Sequence, residues 1–324
     1  PFFDDLTPGR ELDPAPALTV DAGVAATYQS IVGDQAPLPR SRPLAEAVTG
    51  RPGALVDPGL VLQIAIGQST VATRRVIANL FYRGVRLHQP VRHGTTLHTR
   101  VVIGPMREAS RRPDRPRRGL VVLSITTRDE TGATVAALER CALLPFRHPD
   151  RPDTGHHDDV GTPDATVDLR HWIDHAPSTW DLAPLGTARP WAVGETRHDP
   201  LRDTVTGATE LARLTLNQAA AHRDPGRGLG GRRLVYGGHT IALAQASLSR
   251  LLPTMATLVG WVGCDHTGPV FEGDVVATSA TLDAVHPAHG GRLLAFTVGA
   301  EAATPGDPAG PRPVLTWRPV VFAP

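Results

Sequence analysis

Asn217 and His222 stand five residues apart, and Tyr236-Gly237-Gly238-His239-Thr240 follows a short distance downstream. A histidine titrates near neutral pH, so it can take a proton from water and return one to carbon. An asparagine can orient a water molecule through its carbonyl oxygen and amide donors, but it cannot share acid–base duty as an aspartate would. A glycine at a helix N-terminus presents an unobstructed N–H at the positive end of the helix dipole, where an oxyanion is best held. Gly238 is the expected donor, with Gly237 allowing the tight turn. Taken alone, a histidine five residues after an asparagine is an ordinary surface or capping pattern. It gains weight from the glycine-rich helix start and from a repeat that runs through the chain.

Pro90-Val91-Arg92-His93-Gly94 recurs as Pro269-Val270-Phe271-Glu272-Gly273 at an offset of 179 residues, and Pro145 and Pro324 close matching β-rich runs at the same offset. Leu6-Thr7-Pro8-Gly9 pairs with Trp191-Ala192-Val193-Gly194 at an offset of 185. Internal repetition at this spacing predicts two homologous domains of ordinary size, residues 1–146 and 186–324. Residues 147–185, rich in Pro, Asp and His, have the composition of a surface linker. His156-His157-Asp158-Asp159 within it reads as solvated surface in preference to a metal site.

Each half has the same order: a polar opening strand, a short helical stretch, one long apolar helix and several β-rich runs. The second long helix is predicted from Gly238 to about Leu252, with Ile241, Ala244, Leu248 and Leu251 at helical spacing. Its counterpart begins near Pro58-Gly59. Leu120 to Thr127 alternates as a half-buried strand, and Asp129-Glu130-Thr131-Gly132 reads as a hairpin turn. A helix held by an antiparallel sheet, twice over, is an α+β architecture.

Composition narrows the function classes. The chain has 324 residues, 41% of them hydrophobic, enough for real cores. A formal charge of +1 gives no nucleic-acid signature. All basic residues are Arg, which removes Schiff-base chemistry on a lysine. Cys141 and Cys264 form no CxxC pair, and no apolar run approaches the roughly 20 residues of a membrane span. Pro1 to Asp5 carries no basic or apolar leader pattern, so the expected location is the cytoplasm. Gly226-Arg227-Gly228-Leu229-Gly230-Gly231 lacks the strand–loop–helix setting and the lysine of a nucleotide loop.

The stretch Leu216-Asn217-Gln218-Ala219-Ala220-Ala221-His222 and the helix-opening Gly231-Arg232-Arg233-Leu234-Val235-Tyr236-Gly237-Gly238-His239 resemble the MaoC-like hydratases, most closely their mesaconyl-CoA hydratase (β-methylmalyl-CoA dehydratase) branch. Ala78-Asn79-Leu80-Phe81-Tyr82 and Pro269 to Asp274 support the likeness, which covers nearly the whole chain. The family signature is an Asp and a His five apart. The first half keeps Asp34 but has Pro39 where the His belongs; the second keeps His222 but has Asn217 for the Asp. The resemblance implies a tandem double hotdog fold and a hydro-lyase acting on a short branched or dicarboxylic enoyl-CoA. No cofactor is implied beyond the coenzyme A of the substrate.

It further implies one active site per chain, with His222, Asn217 and Gly238 catalytic. Gly237, His239 and Tyr236 are expected around the thioester; Arg232 and Arg233, by their nearness in sequence to the catalytic stretch, are candidates for the coenzyme phosphates or a substrate carboxylate, His266 is a candidate for facing the cleft, and no metal is expected. A homodimer is a plausible assembly, and neither nucleic acid nor membrane is an expected partner. Two rival readings remain: a hotdog acyl-CoA thioesterase, which would want a carboxylate near the long helix, and a non-catalytic acyl-CoA binding protein.

Overall fold

The same series of elements is laid down twice and joined edge to edge. The computed structural model describes residues 1–112, 114–162 and 166–324. The first series is β1 (Leu18–Thr19), α1 (Ala22–Val32), α2 (Pro37–Arg40), α3 (Arg42–Thr49), α4 (Pro58–Gln68), β2 (Ala78–Leu87), β3 (Thr96–Glu108), β4 (Arg118–Arg128) and β5 (Thr134–Pro145). The second is β6 (Thr196–His198), β7 (Asp203–Thr204), α5 (Ala208–Leu214), α6 (Gly237–Leu251), β8 (Thr257–Asp265), β9 (Val275–Ala288), β10 (Gly291–Ala303) and β11 (Arg312–Ala323).

All strands belong to one 11-stranded sheet of order β1-β3-β4-β5-β2-β8-β11-β10-β9-β6, with β7 beside β9. The order reads symmetrically about the junction of β2 and β8, where Val85 pairs with Trp261 and Arg86 with Gly260. This is the double hotdog. Even the opening segments repeat: Gly9 N–H donates to the Ile103 carbonyl at 2.7 Å, and Gly194 N–H to that of Leu282 at 2.8 Å.

The long helices are buried because their faces carry small or apolar residues that a curved sheet can wrap. In α4 every residue from Gly59 to Gln68 is buried, and in α6 every residue from Gly238 to Ser249. Their N-termini differ in a way that matters for chemistry. Asp57 caps α4, its Oδ1 accepting from Gly59 N–H at 2.8 Å. Tyr236 stands at the equivalent place on α6 and offers no side-chain cap, so that helix leaves its first N–H groups open.

Gln245, projecting from α6, donates to both Asp34 Oδ2 (2.8 Å) and Asp57 Oδ1 (2.9 Å) and so ties the halves together. Burial, with the Asp34 carboxylate adding to it against the weaker pull of Arg40, raises Asp57 to about 7. A carboxyl raised on folding stabilises the fold at low pH and loses that contribution as pH climbs through its folded value. Asp57→Asn keeps a cap acceptor without the titration. It should raise the thermal midpoint at pH 8 by several degrees and change it little at pH 4.5; an equal shift at both pH values would contradict this.

Residues 147–185 are more than a linker. Leu169, Trp172, Ala176 and Leu182 are buried with Val262, Leu293, Val320 and Phe322 on the outer face of the second half. The Arg86 guanidinium lies 3.3 Å above the Trp172 ring. Average composition hid these few apolar residues among prolines and acids. Asp158 accepts from Met106 N–H at 2.9 Å and His157 sits 3.2 Å from Asp153. Among the described residues no three side chains of metal-ligating type come together, and no helix is long and apolar enough to cross a membrane.

Candidate active site

A cavity of about 330 Å³ lies between the two halves, with Asn217, His222, Tyr236, Gly237 and His266 on one wall and Thr70, Thr73, Asn79, Tyr82 and Arg140 on the other. The loop carrying Asn217 is locked in place. Gly67, near the end of α4, lies so close to the Thr215 backbone that a Cβ there would overlap the Thr215 carbonyl oxygen. Thr70 Oγ1 accepts Gln218 N–H at 2.7 Å, and Asn217 N–H reaches the Ala212 carbonyl at 2.8 Å. Between these anchors Leu216 adopts φ +57°, a left-handed conformation costly for a leucine and held only because its neighbours are fixed.

His222 ends a short 3-10 turn, Ala220–His222. Its Nδ1 lies 3.1 Å from the Leu234 carbonyl oxygen. A carbonyl can only accept, so Nδ1 carries the proton and Nε2 keeps its lone pair. The imidazole has a partial opening to the cavity but dense protein around it. Burial pushes it down to about 4 against the opposing Leu234 bond, and the Arg140 guanidinium acts in the same direction as burial. It is therefore a neutral base at physiological pH.

Asn217 is 1% exposed; its Oδ1 accepts from Ala219 N–H at 2.9 Å, while Nδ2 has no partner. One lone pair of Oδ1 is taken by the Ala219 N–H, while the Nδ2 donors are uncommitted and are the part of the amide left to meet a water. Asp34, its repeat mate, makes the same turn by accepting from Ala36 N–H at 2.6 Å, but spends its second oxygen on Gln245. Pro39 and the Asp57 cap complete the difference: the first half has neither the base nor the open helix end.

At α6 the two glycines face different neighbours. Gly237 lines the cavity, with His266 packed so tightly that a Cβ on Gly237 would come within 2.6 Å of its Nε2. Gly238 turns instead toward Gln63 and the Tyr236 ring, which a Cβ there would strike. Both N–H groups are free of protein acceptors among the described residues. Tyr236 packs 5.6 Å from the His222 ring, and its hydroxyl is buried without a partner. His266 is held near 4 by burial and the proximity of His222, so it too is neutral.

Three expected contacts are not at the cavity. His239 is fully buried, with neither ring nitrogen partnered, and lies outside the lining. Arg232 stacks over Phe271 at 3.7 Å, and Arg233 pairs with Glu272. Proximity in sequence to the catalytic stretch does not carry these side chains around the turn. The arginine on the cavity wall is Arg140; Arg74, Arg75, Arg147 and Arg227 line a neighbouring cleft of about 650 Å³ that shares Val76 and Ala221 with the cavity, Arg147 there pairing with Asp5 and Arg74 donating to Gln218. Arg140, Tyr82 and Thr73 also line the cavity, and nothing around the Asn217–His222 stretch points to them in sequence, because they belong to the half without the histidine.

No protein-family model matches the chain. It is 28% identical over 314 residues to the mesaconyl-CoA hydratase of Cereibacter sphaeroides, spanning 93% of this chain and 90% of that one. A conserved Mycobacterium tuberculosis protein with a double hotdog fold is 41% identical, with a TM-score of 0.88 and coverage of 99% and 98%. A MaoC domain protein dehydratase from Chloroflexus aurantiacus is 25% identical, with a TM-score of 0.85 and coverage of 100% and 97%. Sequence and fold agree along the full length, and the chain belongs to the MaoC-like double-hotdog hydratase/dehydratase family.

Proposed function

We propose that this protein reversibly adds water across the α,β double bond of an enoyl-CoA thioester, with a branched dicarboxylic substrate of the mesaconyl-CoA/β-methylmalyl-CoA kind. One observation carries the reading: a neutral histidine with a free Nε2 and a helix end with free N–H groups open into the same cavity. In the forward direction His222 Nε2 takes a proton from water as the oxygen attacks Cβ. Charge moves to the thioester oxygen, held by the N–H groups of Gly237 and Gly238. The imidazolium then returns its proton to Cα from the same side, a syn addition. Asn217 Nδ2 holds the water by its oxygen. The arginine-lined cleft beside the cavity suits the coenzyme phosphates. The chemistry needs no cofactor beyond the coenzyme A on the substrate.

Thioester hydrolysis fits less well, because among the described residues no carboxylate lines the cavity. The two reactions separate cleanly in one assay: loss of the enoyl chromophore without release of free thiol supports hydration, whereas thiol release without hydrated product would replace this reading with hydrolysis. Within the site, Asn217→Ala should lower kcat by roughly five- to tenfold, the cost of one neutral hydrogen bond. Asn217→Asp should be milder, since it keeps the Ala219 bond and restores the family's usual pair. The reverse ordering, measured on the best substrate, would remove Asn217 from the water site.

A further inference from the structure

Arg140 is a cation without a counter-ion in the one place where that is hardest to sustain. It lies on β5, 5% exposed, in phase with the buried Leu138, Ala142 and Leu144. Nη2 donates to Thr73 Oγ1 at 2.7 Å, and Nε has no partner. Among the described residues no carboxylate forms an ion pair with it, and the cavity it lines contains no Asp or Glu. A buried guanidinium left unpaired is markedly less favourable than one that meets an anion. The fold accepts that cost in one half only. At the repeat offset of 179, Arg140 and its cross-strand neighbour Tyr82 correspond to Pro319 and Trp261, which also pair across strands. The half that lost its own histidine thus supplies a polar pair to the other half's site.

We propose that Arg140, held by Thr73 and flanked by Tyr82, binds the distal carboxylate of a dicarboxylic acyl group and sets the substrate specificity of this enzyme. This rests on the reading of the cavity as an enoyl-thioester hydration site. In mesaconyl-CoA the carboxylate is attached to Cβ, the carbon that water attacks, so it must lie beside the water and His222. Arg140 is near enough to His222 to act on its protonation. Pairing the carboxylate with a guanidinium also removes a negative charge that would otherwise repel the incoming oxygen. Arg140 would therefore act on both binding and turnover, in contrast to a simple anchor.

The test compares mesaconyl-CoA with crotonyl-CoA, which lacks the carboxylate. Arg140→Gln should reduce kcat/KM for mesaconyl-CoA by about 10²–10³-fold, as expected when one partner of a desolvated charge pair is removed. Crotonyl-CoA turnover should hold or rise, and Arg140→Lys should recover part of the loss. Equal losses on both substrates, or no loss on either, would overturn the assignment. A measurement on the unmodified protein guards against a variant that fails to fold: succinyl-CoA should bind more tightly than butyryl-CoA by at least tenfold, and equal affinities would also overturn it. Hydration of crotonyl-CoA with no preference for the dicarboxylic substrate sinks this inference and leaves the hydratase reading standing; no hydration of either sinks both.

Discussion

His222→Ala lowers kcat for hydration by about 10²–10⁴-fold, the usual contribution of a positioned general base and acid, and leaves KM within a few-fold. The loss should be confined to turnover because, in the proposed reaction, the imidazole contributes a lone pair, while the thioester would be held by backbone N–H groups and the coenzyme by arginines in the neighbouring cleft. The pH profile gives an independent signature. Burial holds His222 near 4, so kcat/KM should stay flat through neutrality and fall only as the imidazole protonates, near that pH. An acid limb centred near the ordinary histidine value of about 6.5 would mean that His222 titrates as a solvated group. It would then not be the desolvated base described above.

Gly238→Ala is expected to reduce kcat/KM by about 10²–10³-fold, comparable to loss of an oxyanion donor in other enzymes. The added methyl would overlap Gln63 Oε1 and lie 2.6 Å from the Tyr236 ring. Gln63 also donates to the Gly238 carbonyl, so it cannot simply swing away without giving up that bond. The first turn of α6 must move, and with it the N–H groups at the cavity. Combining Gly238→Ala with Gln63→Ala should recover part of the activity by removing one of the two collisions. Full activity in Gly238→Ala, checked by circular dichroism for an intact fold, would show that the helix end does not hold the oxyanion.

Much of this was legible in the residues themselves. The repeat at 179 residues gave the double architecture because sheet position depends on alternation, which both halves keep. His222 and the glycines of α6 stood out because their spacing is local. What escaped was whatever depended on the join between halves. Arg232 and Arg233 were candidates through nearness in sequence, yet α6's approach turns them onto Phe271 and Glu272. Arg74 and Arg75 reach the cleft from the other half. Arg140 did leave a trace: an arginine in phase with the apolar face of a strand, between Leu138 and Ala142, is either paired or waiting for a ligand. The buried side of the connecting segment left a fainter one, in Leu169 and Trp172 amid polar neighbours.

In the proposed reaction water is added to Cβ by His222 while the thioester stays intact. This is tested most directly by turning over mesaconyl-CoA, with crotonyl-CoA beside it, in heavy-oxygen water and locating the label by mass spectrometry. One labelled oxygen is expected in the Cβ hydroxyl of a product that still carries coenzyme A, formed by the unmodified protein and not at a comparable rate by His222→Ala. Label in a free carboxylic acid with release of coenzyme A, or unimpaired labelling of Cβ by His222→Ala, would contradict the proposal.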